Sequence, residues 1–358
     1  MSQLELKKLD FIDSLRGWAV LGVICIHVYI WLPWHGPLEW FLLKGNRGVQ
    51  LFYLLSAFTL FNSLSIRKVE KYPLINYFIR RFFRIAPLFY LSIIYYLWQD
   101  GWGPRYWLGD VQEISSANVL ATFTFTNGWN PYWINSIVPG GWSIAVEMGF
   151  YILLPLLFKY CKNIKSATAM AIFSFILMKF LQYILLHHPL ISKVNLWREF
   201  TFLYLPSQLP IFCLGIILYF LWKSKGNLST LYMIINYLIS IGFIYLSFLW
   251  DGKYIAEHIL FAGAFLLMSF NLSKKKLLLL VNPLIGYLGK ISFSLYLVHH
   301  AIINGLKEQH LLTINHFSLG FLLTILGSLV LGSITFYGIE RPGIALGKQI
   351  IAKIEGNN

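Results

Sequence analysis

Charge is what this sequence has least of. Asp, Glu, Lys and Arg make up 12% of the 358 residues, about half the share of a soluble domain. With 57% hydrophobic residues and a mean hydropathy of +0.63, that excludes an ordinary cytosolic enzyme and a disordered chain. Cysteine is also scarce. Three residues make no disulfide framework: Cys25 and Cys213 fall in apolar runs and Cys161 in a Lys-rich segment, so all three are expected to be reduced and structural. There is no G-x-S-x-G elbow, P-loop, G-x-G-x-x-G or zinc-type Cys/His spacing, which removes the usual soluble hydrolase, nucleotide and zinc frameworks.

What remains is apolar length. At about 20 residues per span, the chain reads as ten transmembrane helices near 11–33, 47–65, 82–98, 140–158, 167–186, 207–222, 230–249, 255–271, 284–304 and 319–338. The first run follows Lys7 and Lys8 but carries no small-x-small cleavage site, so it reads as a retained anchor rather than a signal peptide. The fold class expected is an all-α integral membrane protein with both termini cytoplasmic. The 29 Lys and Arg residues divide about three to one in favour of the segments placed inside, and a one-span shift of frame destroys that bias. The net charge of +14 then reflects cytoplasmic loops over anionic lipid; the expected partner is the bilayer, not nucleic acid. The long segment 99–139 falls outside and is rich in aromatics (Trp102, Trp107, Trp129, Trp133, then Pro139-Gly140-Gly141-Trp142). That suits either an interfacial belt or the apolar face of a sugar ring.

Polar residues in such a chain stand out. Arg16 and His27 are eleven apart, three turns plus about 20°, so they share a helix face about 16 Å apart along the axis. A phosphate held at Arg16 with a long thin arm reaching His27 matches a coenzyme A thioester. The run Arg80-Arg81-Phe-Phe-Arg84-Ile-Ala-Pro87 opens the third span; arginine forks grip phosphate, although positive-inside anchoring explains such a run as well. Glu147, in Trp142-Ser143-Ile-Ala-Val-Glu147, lies about two turns into an outer-to-inner span. There it could hold His27 in one tautomer, relay a proton, or simply form an ion pair. His299, in Ser292-Phe-Ser294-Leu-Tyr296-Leu-Val-His299-His300, falls in the outer half of the ninth span. Gln50 and Ser56 suit helix–helix bonding better than nucleophilic work. Glu257 and His258, at an outer span end, are weaker candidates.

Taken in order, these segments resemble the membrane acyltransferase-3 family. The resemblance rests on Asp13-x-Leu15-Arg16-Gly17 with His27, Gly48-Val-x-x-Phe52-x-x-x-Ser56-x-Phe58, and Arg81-x-x-Arg84-Ile-x-Pro87. It continues through Trp142-Ser143-x-x-x-Glu147-x-x-Phe150-Tyr151, Leu288-Gly-x-Ile-Ser292-x-Ser294-Leu-Tyr296-Leu-x-His299 and Glu340-Arg341-Pro342. Ala57 stands where the family commonly has glycine, and Gln50 where an acidic residue is frequent. The resemblance implies a single transmembrane acyltransferase domain over 1–358, with no appended soluble domain, in the bacterial inner membrane. It implies an O-acetyltransferase that takes acetyl from cytoplasmic acetyl-CoA, with no tightly bound cofactor and no metal. The acceptor would be an extracytoplasmic polysaccharide or lipid-linked glycan, lipopolysaccharide O-antigen first. Carried over, His27 and Glu147 are the catalytic candidates and Arg16, Arg81 and Arg84 the acyl-CoA ligands. Asp13, Ser56, Trp142, Ser143, Tyr296 and His299 stand behind them. The alternative is a proton-coupled transporter or flippase, which also uses buried His, Glu and Arg; the prolines Pro206 and Pro210 in the sixth span would suit an unwound transporter helix. A structural scaffold ranks last.

Overall fold

The computed structural model describes residues 9–37, 39–104, 113–224, 226, 228–249, 255–314 and 316–356; Lys7, Lys8 and Trp107 lie outside them. The described residues are all-α, with no strand among them. In chain order the helices are α1 (Asp10–Trp31), α2 (Glu39–Leu43), α3 (Gly48–Arg67), α4 (Pro73–Asp100), α5 (Ser116–Phe123), α6 (Gly141–Tyr160), α7 (Ile164–His187) and α8 (Val194–Leu203). They continue as α9 (Leu205–Lys223), α10 (Thr230–Leu249), α11 (Glu257–Lys274), α12 (Pro283–Lys290), α13 (Ser292–Glu308), α14 (Leu311–Ile314), α15 (Phe317–Thr335) and α16 (Arg341–Glu355). Among the described residues, seven helical stretches are long and apolar enough to cross a membrane. Helices α7 and α10 turn Phe173, Ile176, Phe180, Leu238, Ile241 and Tyr245 outward, apolar surface that water would not tolerate at that density. This is a multi-pass membrane protein.

Each expected span is helical, with two differences. The ninth breaks at Ile291 into α12 and α13. The sixth, whose prolines would suit an unwound helix under the transporter alternative, is a helix from Leu205 onward. Pro206 stands in the first turn, where no intrahelical donor is needed, and the Gln208 amide donates to the Phe202 carbonyl at 2.7 Å.

The chain forms two compact units, Met1–Ile66 with Leu214–Ile339, and Arg67–Cys213 with Glu340–Asn358. In the first, α1 is a central rod whose Leu15, Ala19, Val20, Val23, Ile24 and Val28 are buried. It lies so close to α12 that a Cβ on Gly17 would overlap the Ile285 carbonyl and one on Gly289 the Asp13 carbonyl. Only glycine permits that backbone approach, so the glycines of two distant motifs serve one contact.

In the second unit, Pro87 sits inside α4, where it cannot donate to the Phe83 carbonyl one turn back. Gly343 of α16 packs on that carbonyl and on the Pro87 ring, and Gly347 packs on the Phe83 side chain. The Glu355 carboxylate, near the end of α16, accepts from the Lys71 and Tyr72 amides and from the Asn76 side chain. Helix α6 starts at Gly140, whose φ of 74° is left-handed, a conformation glycine adopts freely. The Asn135 side chain accepts from the Gly140 amide and the Ser143 hydroxyl donates to the Gly140 carbonyl. That start sets the register of Glu147. The outer segment is partly helical, and Ile134 packs with Trp142, Trp197, Phe200 and Tyr204.

Candidate active site

In the first unit, α1 carries Arg16 and His27 and α13 carries Tyr296, His299 and His300. Nδ1 of His27 and Nε2 of His299 share a hydrogen bond of 2.9 Å, and their rings stack at 5.0 Å between centroids. The His300 ring lies 4.4 Å from that of His27 and 4.2 Å from that of His299. On its far side, Nδ1 of His299 lies 2.6 Å from the Tyr296 carbonyl oxygen. None of the three histidines makes an ion pair among the described residues, and their ligand atoms lie within 4.8 Å of one another. That spacing could hold a metal ion, but a nitrogen donating its proton in the His27–His299 bond has no lone pair to give a metal.

About three turns toward the other end of α1, Arg16 donates to the Thr59 hydroxyl at 3.1 Å. Thr59 in turn donates to the Leu55 and Ser56 carbonyls of its own helix. This tie fixes the direction of the Arg16 side chain along α3. Ser56 itself is buried. Glu257 receives Lys44 and Arg47, each at 3.0 Å, so its role is to tie the start of α11 to the segment before α3.

In the second unit the three arginines of α4 differ in use. Arg80 is committed to Glu70, at 2.7 and 3.1 Å, and Arg67 joins the same carboxylate. Arg84 lies 3.8 Å from the buried Glu340 carboxylate. Arg81 has no hydrogen bond or ion pair among the described residues, and its Nε is buried. A buried guanidinium nitrogen without a partner is costly. The Glu147 carboxylate accepts from the Tyr151 hydroxyl at 2.6 Å, one turn along α6, and the Tyr77 hydroxyl donates to the Tyr151 carbonyl.

The first unit thus holds three imidazoles gathered without an ion pair among the described residues, and the second an arginine, Arg81, whose Nε is buried and unbonded. A model of the acyltransferase domain, that of the acyltransferase-3 family, matches residues 9–333. The chain belongs to this family of membrane acyltransferases. The acyltransferase is 25% identical over 338 residues to the peptidoglycan O-acetyltransferase OatA of Listeria monocytogenes, an alignment covering 83% of this chain and 50% of that protein. It is 28% identical over 335 residues to a Staphylococcus aureus protein provisionally named an O-acetyltransferase, covering 83% and 52%. A provisionally named acetyltransferase of Acidianus two-tailed virus is 27% identical over 307 residues, covering 80% and 81%. The chain thus spans about half the length of the listerial and staphylococcal relatives. No solved structure matches it.

Of the candidates named from sequence, the acyltransferase brings His27, His299 and Tyr296 together, and Asp13 meets Gly289 through its carbonyl. Ser143 serves the start of α6 and Trp142 the packing around Ile134. The tautomer partner expected in Glu147 is, at Nδ1 of His27, occupied by His299. His300 and Thr59 are not among those candidates; adjacent helix residues point about 100° apart, so spacing alone does not show that the His299 and His300 rings both gather on His27.

Proposed function

We propose that this acyltransferase transfers an acetyl group from cytoplasmic acetyl-CoA to a hydroxyl of an extracytoplasmic glycan. The observation that carries the donor is Arg81: a guanidinium with no ion pair among the described residues and a buried, unbonded Nε, beside Arg84, at the end of α4 that the charge bias assigns to the inside. Phosphates of coenzyme A supply that anion, and Arg16 directs a further cation at the same class of ligand. His27 acts as general base. Its Nε2 takes the proton of the glycan hydroxyl while that oxygen attacks the thioester carbonyl. The carbon–sulfur bond then breaks, the ester is formed, and the departing thiolate takes the proton back from His27 as free CoA. Glu147, held by Tyr151, positions groups on the donor side.

The acceptor is an envelope polysaccharide in the bacterial inner-membrane setting. Lipopolysaccharide O-antigen is the acceptor favoured by the family resemblance, and the listerial relative's name points to peptidoglycan; both offer sugar hydroxyls outside the membrane. The test is transfer of labelled acetyl from acetyl-CoA in membrane vesicles supplied with each glycan in turn. His27→Ala is run alongside at matched expression. Label in one glycan for wild type, lowered about 10²–10⁴-fold in the variant, supports the reading. Equal labelling in both sinks the role of His27, and no label in any glycan sinks the acceptor class.

A further inference from the structure

The two hydrogen bonds through His299 have a direction. A carbonyl oxygen only accepts, so the nitrogen of His299 facing the Tyr296 carbonyl, Nδ1, carries a hydrogen. With no paired anion and with burial disfavouring charge, the ring is neutral, and its other nitrogen, Nε2, is a bare acceptor. The 2.9 Å bond to His27 therefore runs from the His27 Nδ1–H to the His299 Nε2. That leaves Nε2 of His27 with its lone pair open.

We infer that His299 is a positioning residue that holds His27 in the Nδ1–H tautomer and so presents Nε2 as the proton-accepting atom of the acyltransferase. This rests on the reading of His27 as the base. The sequence Tyr296 carbonyl, His299, His27 replaces the carboxylate that usually orients a working histidine. A neutral imidazole does that job without placing a fixed negative charge in the apolar interior. His299, on α13, fixes the ring plane relative to a second helix, and the His300 ring closes the other side.

The experiment is nitrogen NMR of ¹⁵N-histidine-labelled full-length protein in lipid nanodiscs, with the His27 signals assigned by their loss in His27→Ala. Acetyl transfer is measured on the same preparations. Wild type is expected to show the His27 hydrogen on Nδ1 and a bare Nε2. In His299→Ala the His27 signals should become a mixture of tautomers and kcat should fall about 10–100-fold, the usual scale for partners of working histidines, with KM for acetyl-CoA unchanged. In His299→Gln, whose side-chain oxygen reaches the place of Nε2 and accepts, the wild-type tautomer and most of kcat should return. A His27 hydrogen on Nε2 in wild type would overturn the inference. So would wild-type tautomer and kcat in His299→Ala, or a stoichiometric metal ion retained by wild type and lost from His299→Ala. If His27 shows the expected tautomer but His27→Ala keeps its activity, it is the base reading that fails, not the geometry.

Discussion

Nδ1 of His27 and Nε2 of His299 lie 2.9 Å apart although 272 residues separate them. The bond joins α1 to α13, about 15 Å along α1 from where Gly17 and Gly289 bring α1 and α12 together. One helix of the first unit thus carries the histidine pair on one half and a close glycine contact on the other.

That contact leaves no room for a methyl group. Gly289→Ala is expected to force α12 off α1 at a cost of about 1–3 kcal/mol. It should lower the thermal midpoint in detergent and the transfer rate together. Gly242→Ala, in α10, has open space around its Cβ position. It should leave the midpoint unchanged or raise it slightly, because alanine favours helix by about 1 kcal/mol over glycine. Equal effects of the two substitutions would remove the argument from close approach.

The neighbouring arginines of α4 should separate by phenotype. Arg81→Ala is expected to raise KM for acetyl-CoA about thirty-fold, as losing about 2 kcal/mol of charge-assisted hydrogen bonding implies, with kcat and thermal stability little changed. Arg80→Ala should do the reverse, because Arg80 is committed to Glu70. Arg81→Lys should recover only part of the affinity, since an ammonium has no fork. Steady-state kinetics beside thermal melts decides it.

Thr59 offers a subtler test of donor binding. It accepts from Arg16 at 3.1 Å and presents no group of its own to the proposed phosphate. Thr59→Val keeps the shape and removes the acceptor. KM for acetyl-CoA should rise about fivefold, the equivalent of about 1 kcal/mol, while the maximal rate is retained. An unchanged KM would mean that Arg16 needs no such aiming.

Acid should loosen the second unit through Glu70. Burial alone would push this carboxyl up, but hydrogen bonds from Arg80, Arg67 and Asn76 outweigh it and hold it below its ordinary 4.5. A carboxyl held low in the folded state adds stability that is fully present above its unfolded value and is lost as pH falls through the folded one. The thermal midpoint should therefore decline below about pH 4.5. Glu70→Gln should start lower at neutral pH and show a shallower decline. Parallel pH curves for the two proteins would rule out this carboxyl as the source.

By itself the sequence determined the class of protein and the position of its long apolar helices, but not the helices α2, α5, α8, α14 and α16 between and after them; seven helical stretches among the described residues are long and apolar enough to cross a membrane, against the ten expected. Apolar runs, scarce charge and local start signals act over one or two turns, so they are legible along the chain. It also named His27, Arg16, Arg81 and Arg84, because a polar group within an apolar run is conspicuous wherever the chain goes. Only the tertiary structure decided how these groups are used. It split the ninth span at Ile291 and kept α9 helical through its prolines. It set Arg80 against Glu70 and left the buried Nε of Arg81 without a partner among the described residues. It brought His300 onto His27 and gave the His27 Nδ1 to His299. Helical periodicity tells which residues share a face of one helix, but a hydrogen bond between helices depends on their separation to within a few tenths of an ångström. The close approach of α1 to α12 through Gly17 and Gly289 is of the same kind, and no local pattern records it.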